Sequence, residues 1–178
     1  MKKKPTSISR RLEQALNCLI AKDYESSLIH FFPALDKTAK LRRPKDGVGA
    51  RIKKFLNDEE SFITFIAFRT SFRDAFFDGL TFGDVIYKFG RTSIMHEGEL
   101  DPRLSFNSGN TLQAGGMKWI LPPSYIGAMI TAVMAANENA NEYLSQPKHL
   151  SFDDKTINAN DIWGNKSLIQ ATIKMPDF

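Results

Sequence analysis

From residue 7 to residue 95, apolar side chains keep returning at helical spacing, and this recurrence commits the chain to a helical core. Leu12, Leu16, Leu19 and Ile20 mark a first helix over 7–22, with Ser7 or Ser9 placed to cap it. Leu28, Ile29, Phe31, Phe32, Leu35 and Ala39 mark a second over 24–41. Pro33 lies inside that run, lacks an N–H, and should kink or divide it. Pro44 and Gly47 to Gly49 punctuate a loop, and a short basic helix is expected at 48–56. Asp58 or Ser61 then starts a Phe-rich helix over 59–68. Residues 70–80 are ambiguous; Phe72, Phe76, Phe77 and Leu80 suggest a helical turn or two. Over 82–95, Val85, Ile86, Phe89 and Ser93 fall on one stripe, and Gly98 is a stop signal.

The period then changes. Leu104-Ser-Phe-Asn and Met117-Lys-Trp-Ile-Leu flank a polar, Gly-rich stretch from Ser108 to Gly116, which suggests a β-hairpin with a long connection. Pro122-Pro-Ser opens a helix to about Leu144, striped by Ile126, Met129, Ile130 and Val133. In the tail, Ile169, Ala171 and Ile173 alternate with Leu168, Gln170, Thr172 and Lys174 like a strand. The fold expected is mainly α: an up-and-down bundle of four to five helices, a β-hairpin insertion at about 103–121 and a small β tail. Residues 1–145 would form the helical domain, and residues 146–178 a β appendage or dimer arm.

A chain of 178 residues with fourteen phenylalanines can bury a sizeable core as one domain. It has no run of eighteen apolar residues that could span a membrane. Met1-Lys-Lys-Lys4 could begin a signal peptide, but a polar stretch follows where the apolar region should be. The single cysteine, Cys18, excludes an internal disulfide and reads as a small core hydrophobe. A cytoplasmic location is the default that follows. Charge is uneven. Residues 1–54 hold fourteen Lys/Arg against five Asp/Glu, a net +9, and the remainder holds ten against fifteen, a net −5. The basic clusters are Lys2-Lys3-Lys4, Arg10-Arg11, Arg42-Arg43 with Lys45, and Arg51 with Lys53-Lys54. They form either a polyanion-binding face or a solvated one.

The residues with most chemistry in them are Arg91-Thr-Ser-Ile-Met-His96. A histidine can exchange a proton near neutral pH, and a guanidinium fork matches phosphate oxygens. Five residues apart on a straight α-helix, the two would stand about 7.5 Å apart along the axis and about 140° apart around it. Convergence therefore needs the helix to end near Met95, or a second copy related by a two-fold axis. Gly90 would allow another backbone to approach, from within the monomer or from that copy. His30 reads as a core or interface histidine and His149 as a solvated one. The three histidines show no metal-ligand spacing.

The stretch "YKFGRTSIMHEGE" resembles the signature of HEPN domains, in which a third helix ends in Arg and His follows after four to six residues. The segment "SSLIHFFPALDKTAKLRRP" is similar to the second helix of many HEPN-like proteins. The resemblance runs over roughly residues 8–145. It implies a metal-independent endoribonuclease of the toxin, defence or RNA-processing type, with no cofactor. It also implies a homodimer, in which each protomer brings Arg91 and His96 to one cleft, and an antitoxin or other protein as a further partner. RNA would be cut through its own 2′-hydroxyl. His96 would move the proton, Arg91 would stabilise phosphoryl charge, and Thr92 would orient the phosphate. Lys88, Arg42, Arg43, Lys53 and Lys54 are the candidate RNA-binding cations. Active members of that family often carry Asn, Asp or His after the arginine, where this chain has Thr92. The alternative is an inert module of the same fold that binds RNA, a nucleotide or a partner protein.

Overall fold

A computed structural model describes residues 5–107, 109 and 111–176. The Lys2-Lys3-Lys4 cluster, and Ser108 and Asn110 of the Gly-rich stretch, lie outside the described residues. The chain is mainly helical, with three small sheets among the described residues. Helix α1 (Ser7–Ile20) starts at Thr6, whose hydroxyl accepts the N–H of Ile8. Helix α2 (Tyr24–Arg42) starts at Asp23, whose carboxylate accepts the N–H of Ser26. Both caps satisfy a donor that the first helical turn would otherwise leave free. α2 runs unbroken through Pro33. Pro33 and Ile29 are both on its exposed side, so water can take the carbonyl that the proline leaves without a donor.

Helices α3 (Val48–Asp58) and α4 (Glu60–Phe68) follow as expected. Residues 70–80 do not form helical turns. They end in a hairpin of β1 (Phe76–Phe77) and β2 (Leu80–Thr81). Asp78 and Gly79 both have positive φ in its turn, and Asp-Gly is the pair that a tight hairpin turn selects. Next comes one helical run in three parts: α5 (Phe82–Val85), a π-helical segment (Ile86–Thr92) and α6 (Ser93–Glu97). Helix α7 (Ser124–Ala135) is buried almost all round and lies at the centre. α2 and α4 pack on it, with Phe31, Phe32, Phe62 and Ile63 against Ile126, Met129, Ile130 and Val133 in one core. Burying each such side chain fully contributes about 1.5–3 kcal/mol. α7 stops at Ala135, well short of Leu144, where a short 3-10 turn replaces it.

The insertion at 103–121 is a three-stranded sheet, not a single hairpin. β5 (Lys118–Leu121) is central. β4 (Gln113–Gly115) pairs with it antiparallel through a two-residue turn, Gly116-Met117, in which both residues have positive φ. β3 (Leu104–Phe106) pairs with β5 in parallel. The tight glycine turn gives β4 the antiparallel seat, so the flanks expected to form the hairpin end up side by side and parallel. Leu104, Phe106, Trp119 and Leu121 turn inward from this sheet.

The tail begins with a hairpin of β6 (His149–Phe152) and β7 (Lys155–Asn158). The strand expected over 168–174 is instead helix α8 (Lys166–Thr172). Asn165 caps it by accepting the N–H of Leu168, and Ile169 and Ile173, four apart, are its buried side. Alternation and helical spacing coincide over so short a run. The tail is tied to α1. Glu13 accepts the Ser145 hydroxyl at 2.6 Å and the Gln146 N–H at 2.9 Å, and Lys148 donates to Asn17 at 2.6 Å. No described helix is long and apolar enough to cross a membrane.

Two stability predictions follow from buried positions. Gly83 sits where α5 meets α3: its N–H donates to Asn57 Oδ1 at 2.8 Å, and an added Cβ would stand 2.5 Å from the Lys53 carbonyl oxygen. Gly83→Ala should cost about 1–3 kcal/mol, because backbone must move to admit the methyl group. Urea denaturation measures it, and an unchanged midpoint would mean that the two helices separate freely. Glu60 is 2% exposed, and burial raises its carboxyl above the usual range. The folded state then holds the proton more tightly than the unfolded chain. Stability falls as pH climbs from about 4.5 through the folded value. Glu60→Gln should therefore match the wild type below that window and exceed it at pH 7. Denaturation midpoints from pH 4 to 8 test this, and a constant difference would contradict it.

Candidate functional site

The motif run is anchored at its start. Thr81 and Asp84 form a reciprocal capping box, Thr81 accepting the Asp84 N–H and Asp84 accepting the Thr81 N–H, each at 3.1 Å. Lys53 adds a salt bridge to Asp84 at 3.1 Å. Burial works to raise the Asp84 carboxyl, but the Thr81 hydrogen bonds and the Lys53 charge lower it overall. From this fixed end the run passes through its π segment, which carries Arg91. Such wide turns are rare and often mark functional positions. The π segment ends at Thr92, so most of the span from Arg91 to His96 is regular α-helix. The helix continues past Arg91 to Glu97 and stops at Gly98, in the left-handed conformation, whose N–H donates to the Ile94 carbonyl. In chain order this run follows four other helices, so it is not a third helix ending at the arginine.

Gly90 is buried, and a Cβ there would meet the Phe32 ring at 3.0 Å. Its close approach serves packing within the monomer. Phe89 is also buried, so one side of the segment holds the core while the other faces out. Lys88 and His96 are exposed, and Arg91, Thr92 and Ser93 are half-buried. The Arg91 guanidinium lies 5.6 Å from the centre of the Tyr87 ring, a cation–π contact that steadies the stem without neutralising the charge. Among the described residues no carboxylate forms a salt bridge with Lys88, Arg91 or His96. Thr92 and His96 are four apart, hence neighbours on one face. Arg91 and His96 thus lie on the solvent-reachable end of one helical run.

The other predicted cations are placed differently. The Arg42 guanidinium donates to Glu59 at 2.8 Å and to Glu138 at 2.8 and 3.2 Å, and it lies 4.3 Å from the centre of the Phe55 ring. Burial lowers its affinity for the proton, and the hydrogen bonds and charges of Glu138 and Glu59 more than reverse this. Arg43 pairs with Asp58, Lys53 with Asp84, Lys54 with Asp46, and Arg51 with Asp36. Against the net +9 of the first third, four carboxylates from beyond it, Asp58, Glu59, Asp84 and Glu138, are brought into salt bridges with its cations. Sequence counting could not find these pairs, because Glu59, Asp84 and Glu138 arrive from other helices and turns.

Among the remaining candidates, His30 is half-buried rather than deep in the core. Its Nδ1 lies 3.2 Å from Arg11 Nη1, and burial followed by the Arg11 charge lowers its pKa. His149 is exposed at the start of β6, and Cys18 is half-buried. Among the described residues no three His, Cys, Asp or Glu side chains come close enough to hold a metal ion.

A protein-family model described as Rv1289 matches residues 7–177. The chain belongs to the Rv1289 family. No curated protein and no solved structure matches it. The Rv1289 match runs from the start of α1 to beyond α8, so the motif helix, the three-stranded insertion and the C-terminal hairpin all fall inside the family unit.

Proposed function

We propose that this Rv1289-family chain is a metal-independent endoribonuclease of the HEPN-like type, acting as a homodimer on RNA through Arg91 and His96. The observation that carries the reading is a contrast in charge. Arg42, Arg43, Lys53 and Lys54 are all matched by acids, whereas Lys88, Arg91 and His96 have no salt-bridge partner among the described residues and lie on one helical run. Lys88 and Arg91, cations outside any salt bridge among the described residues and reachable from solvent, are what a phosphate diester would meet.

The reaction needs two proton transfers. The 2′-oxygen attacks phosphorus as its proton passes to one His96. The bond from phosphorus to the 5′-oxygen breaks as that oxygen takes a proton from the partner's His96. One imidazole cannot be the free base and the charged acid at once, which is why the reading requires two copies. Arg91 carries the charge that grows on the non-bridging oxygens, and Thr92 can donate a hydrogen bond to them. The test is purified protein with RNA and a metal chelator. Fragments ending in 2′,3′-cyclic phosphate are expected, and RNA carrying a 2′-deoxy sugar at the cut position should stay whole. Cleavage of DNA at the same rate, or cleavage only with added metal, would overturn the reading.

A second reading is an inert module of the same type that binds RNA, a nucleotide or a partner protein. Thr92 after the arginine favours it, as does the internal pairing of Arg42, Arg43, Lys53 and Lys54. It predicts retention of RNA on a gel without cleavage, and loss of that retention in Arg91→Ala.

A further inference from the structure

Two adjacent glutamates at the start of α4 are both buried, and the fold treats them in opposite ways. Glu59 has two cations: Arg42 at 2.8 Å and Lys166 Nζ at 2.5 Å. Glu60, on the other side of the same turn, has none among the described residues. The N–H groups of Ala75, at 3.2 Å, and of Asp74 donate to it, the Asp74 carboxylate adds a like charge nearby, and no salt bridge reaches it among the described residues. A buried carboxylate without a counter-ion is costly, and proteins normally remove or pair it.

Glu60 lines a cavity of about 230 Å³ between the helices and the three-stranded insertion. The walls are aromatic: Phe72, Phe77, Phe82, Trp119 and Tyr125. Phe77 and Trp119 meet edge to face with ring centres 5.8 Å apart, and Phe82 and Tyr125 stand 6.0 Å apart. Neither the indole N–H of Trp119 nor the hydroxyl of Tyr125 has a hydrogen-bond partner among the described residues. Burial and the nearby Glu60 charge push the tyrosine pKa up to about 12, so the hydroxyl keeps its proton. Aromatic faces attract cations, most strongly when both are out of water. The apolar remainder of the lining suits a hydrocarbon body.

We infer that this cavity is a binding site for a small organic ammonium ion with an apolar body, its charge on Glu60 and its body among Phe77, Trp119 and Tyr125. The site is independent of Arg91 and His96 and does not rest on the ribonuclease reading. The bound cation supplies what Arg42 and Lys166 supply to Glu59.

The probe is phenethylammonium, with 2-phenylethanol as its neutral counterpart of the same shape, each titrated into the full chain by calorimetry and by indole fluorescence. The cation should saturate and bind at least about tenfold more tightly than the alcohol, the difference one charge-assisted hydrogen bond makes. Glu60→Gln removes the charge and keeps the shape; it should bind both compounds alike, near the wild-type affinity for the alcohol. Failure of the wild type to saturate, equal affinity for the two compounds, or a preference that survives in Glu60→Gln would overturn the inference. The comparison of compounds on the wild type decides the question even if the variant does not fold.

Discussion

Arg42→Ala is expected to destabilise the protein by about 3 kcal/mol, because it leaves half-buried Glu138 without its guanidinium and buried Glu59 with Lys166 alone. Arg42 is the hub. It joins the end of α2 to Glu59 between α3 and α4 and to Glu138 after α7, and its flat face covers Phe55. Alanine removes the charge, the fork and the packing together. Glu59 keeps Lys166, and Glu138 keeps its own backbone N–H and the Arg43 charge but no salt bridge among the described residues. The measurement is chemical denaturation at pH 7, and a loss under about 1 kcal/mol would place the cluster with ordinary surface pairs. The pH dependence gives a second check. Burial alone would raise the Glu138 carboxyl, yet the Arg42 hydrogen bonds, its own backbone N–H and the charges of Arg42 and Arg43 hold it below the usual range. That contribution is present above pH 4.5 and is lost as pH falls through the folded value. In Arg42→Ala this acid-side loss should shrink.

His96→Ala is expected to lower metal-free RNA cleavage by at least about 100-fold, the range for losing a general acid or base. It should leave the thermal midpoint within a degree or two of wild type, about what an exposed substitution does. His96 is exposed, so a large loss of cleavage with an intact fold, an unchanged dimer and unchanged RNA retention points to the proton transfer. Arg91→Ala should behave similarly but less cleanly, since Arg91 also leans on Tyr87. Equal cleavage by wild type and His96→Ala would remove the ribonuclease reading. The inert-module reading would then rest on RNA retention alone.

The long helices were readable because their apolar spacing and caps agree. Leu12 with Leu16 and Leu28 with Phe32 and Leu35 repeat at three or four residues, and both α1 and α2 are buried along those stripes. Shorter pieces were less readable. Asp78-Gly79 signals a hairpin turn, but four nearby phenylalanine and leucine positions imitate a helical stripe. Ile169 and Ile173 fit a helix and a strand equally until Asn165 is recognised as a cap. The parallel seat of β3 depends on where a third strand lies, which no local pattern encodes. The motif itself was visible as residue types, yet the π turn beneath Arg91 was not. Neither was the cavity at Glu60, whose walls come from α4, β1, β5 and α7 and meet only in space.

The bonds from Glu13 and Asn17 to residues 145–148 bear on how the protein is made. The α1–α2 pair can form as soon as both helices leave the ribosome, since its contacts are local. Its outer carboxylate must then wait for more than a hundred further residues before Ser145 and Gln146 can reach it. A nascent chain therefore carries Glu13 without these partners until late in translation, and the last step of folding is the closing of residues 145–148 onto α1.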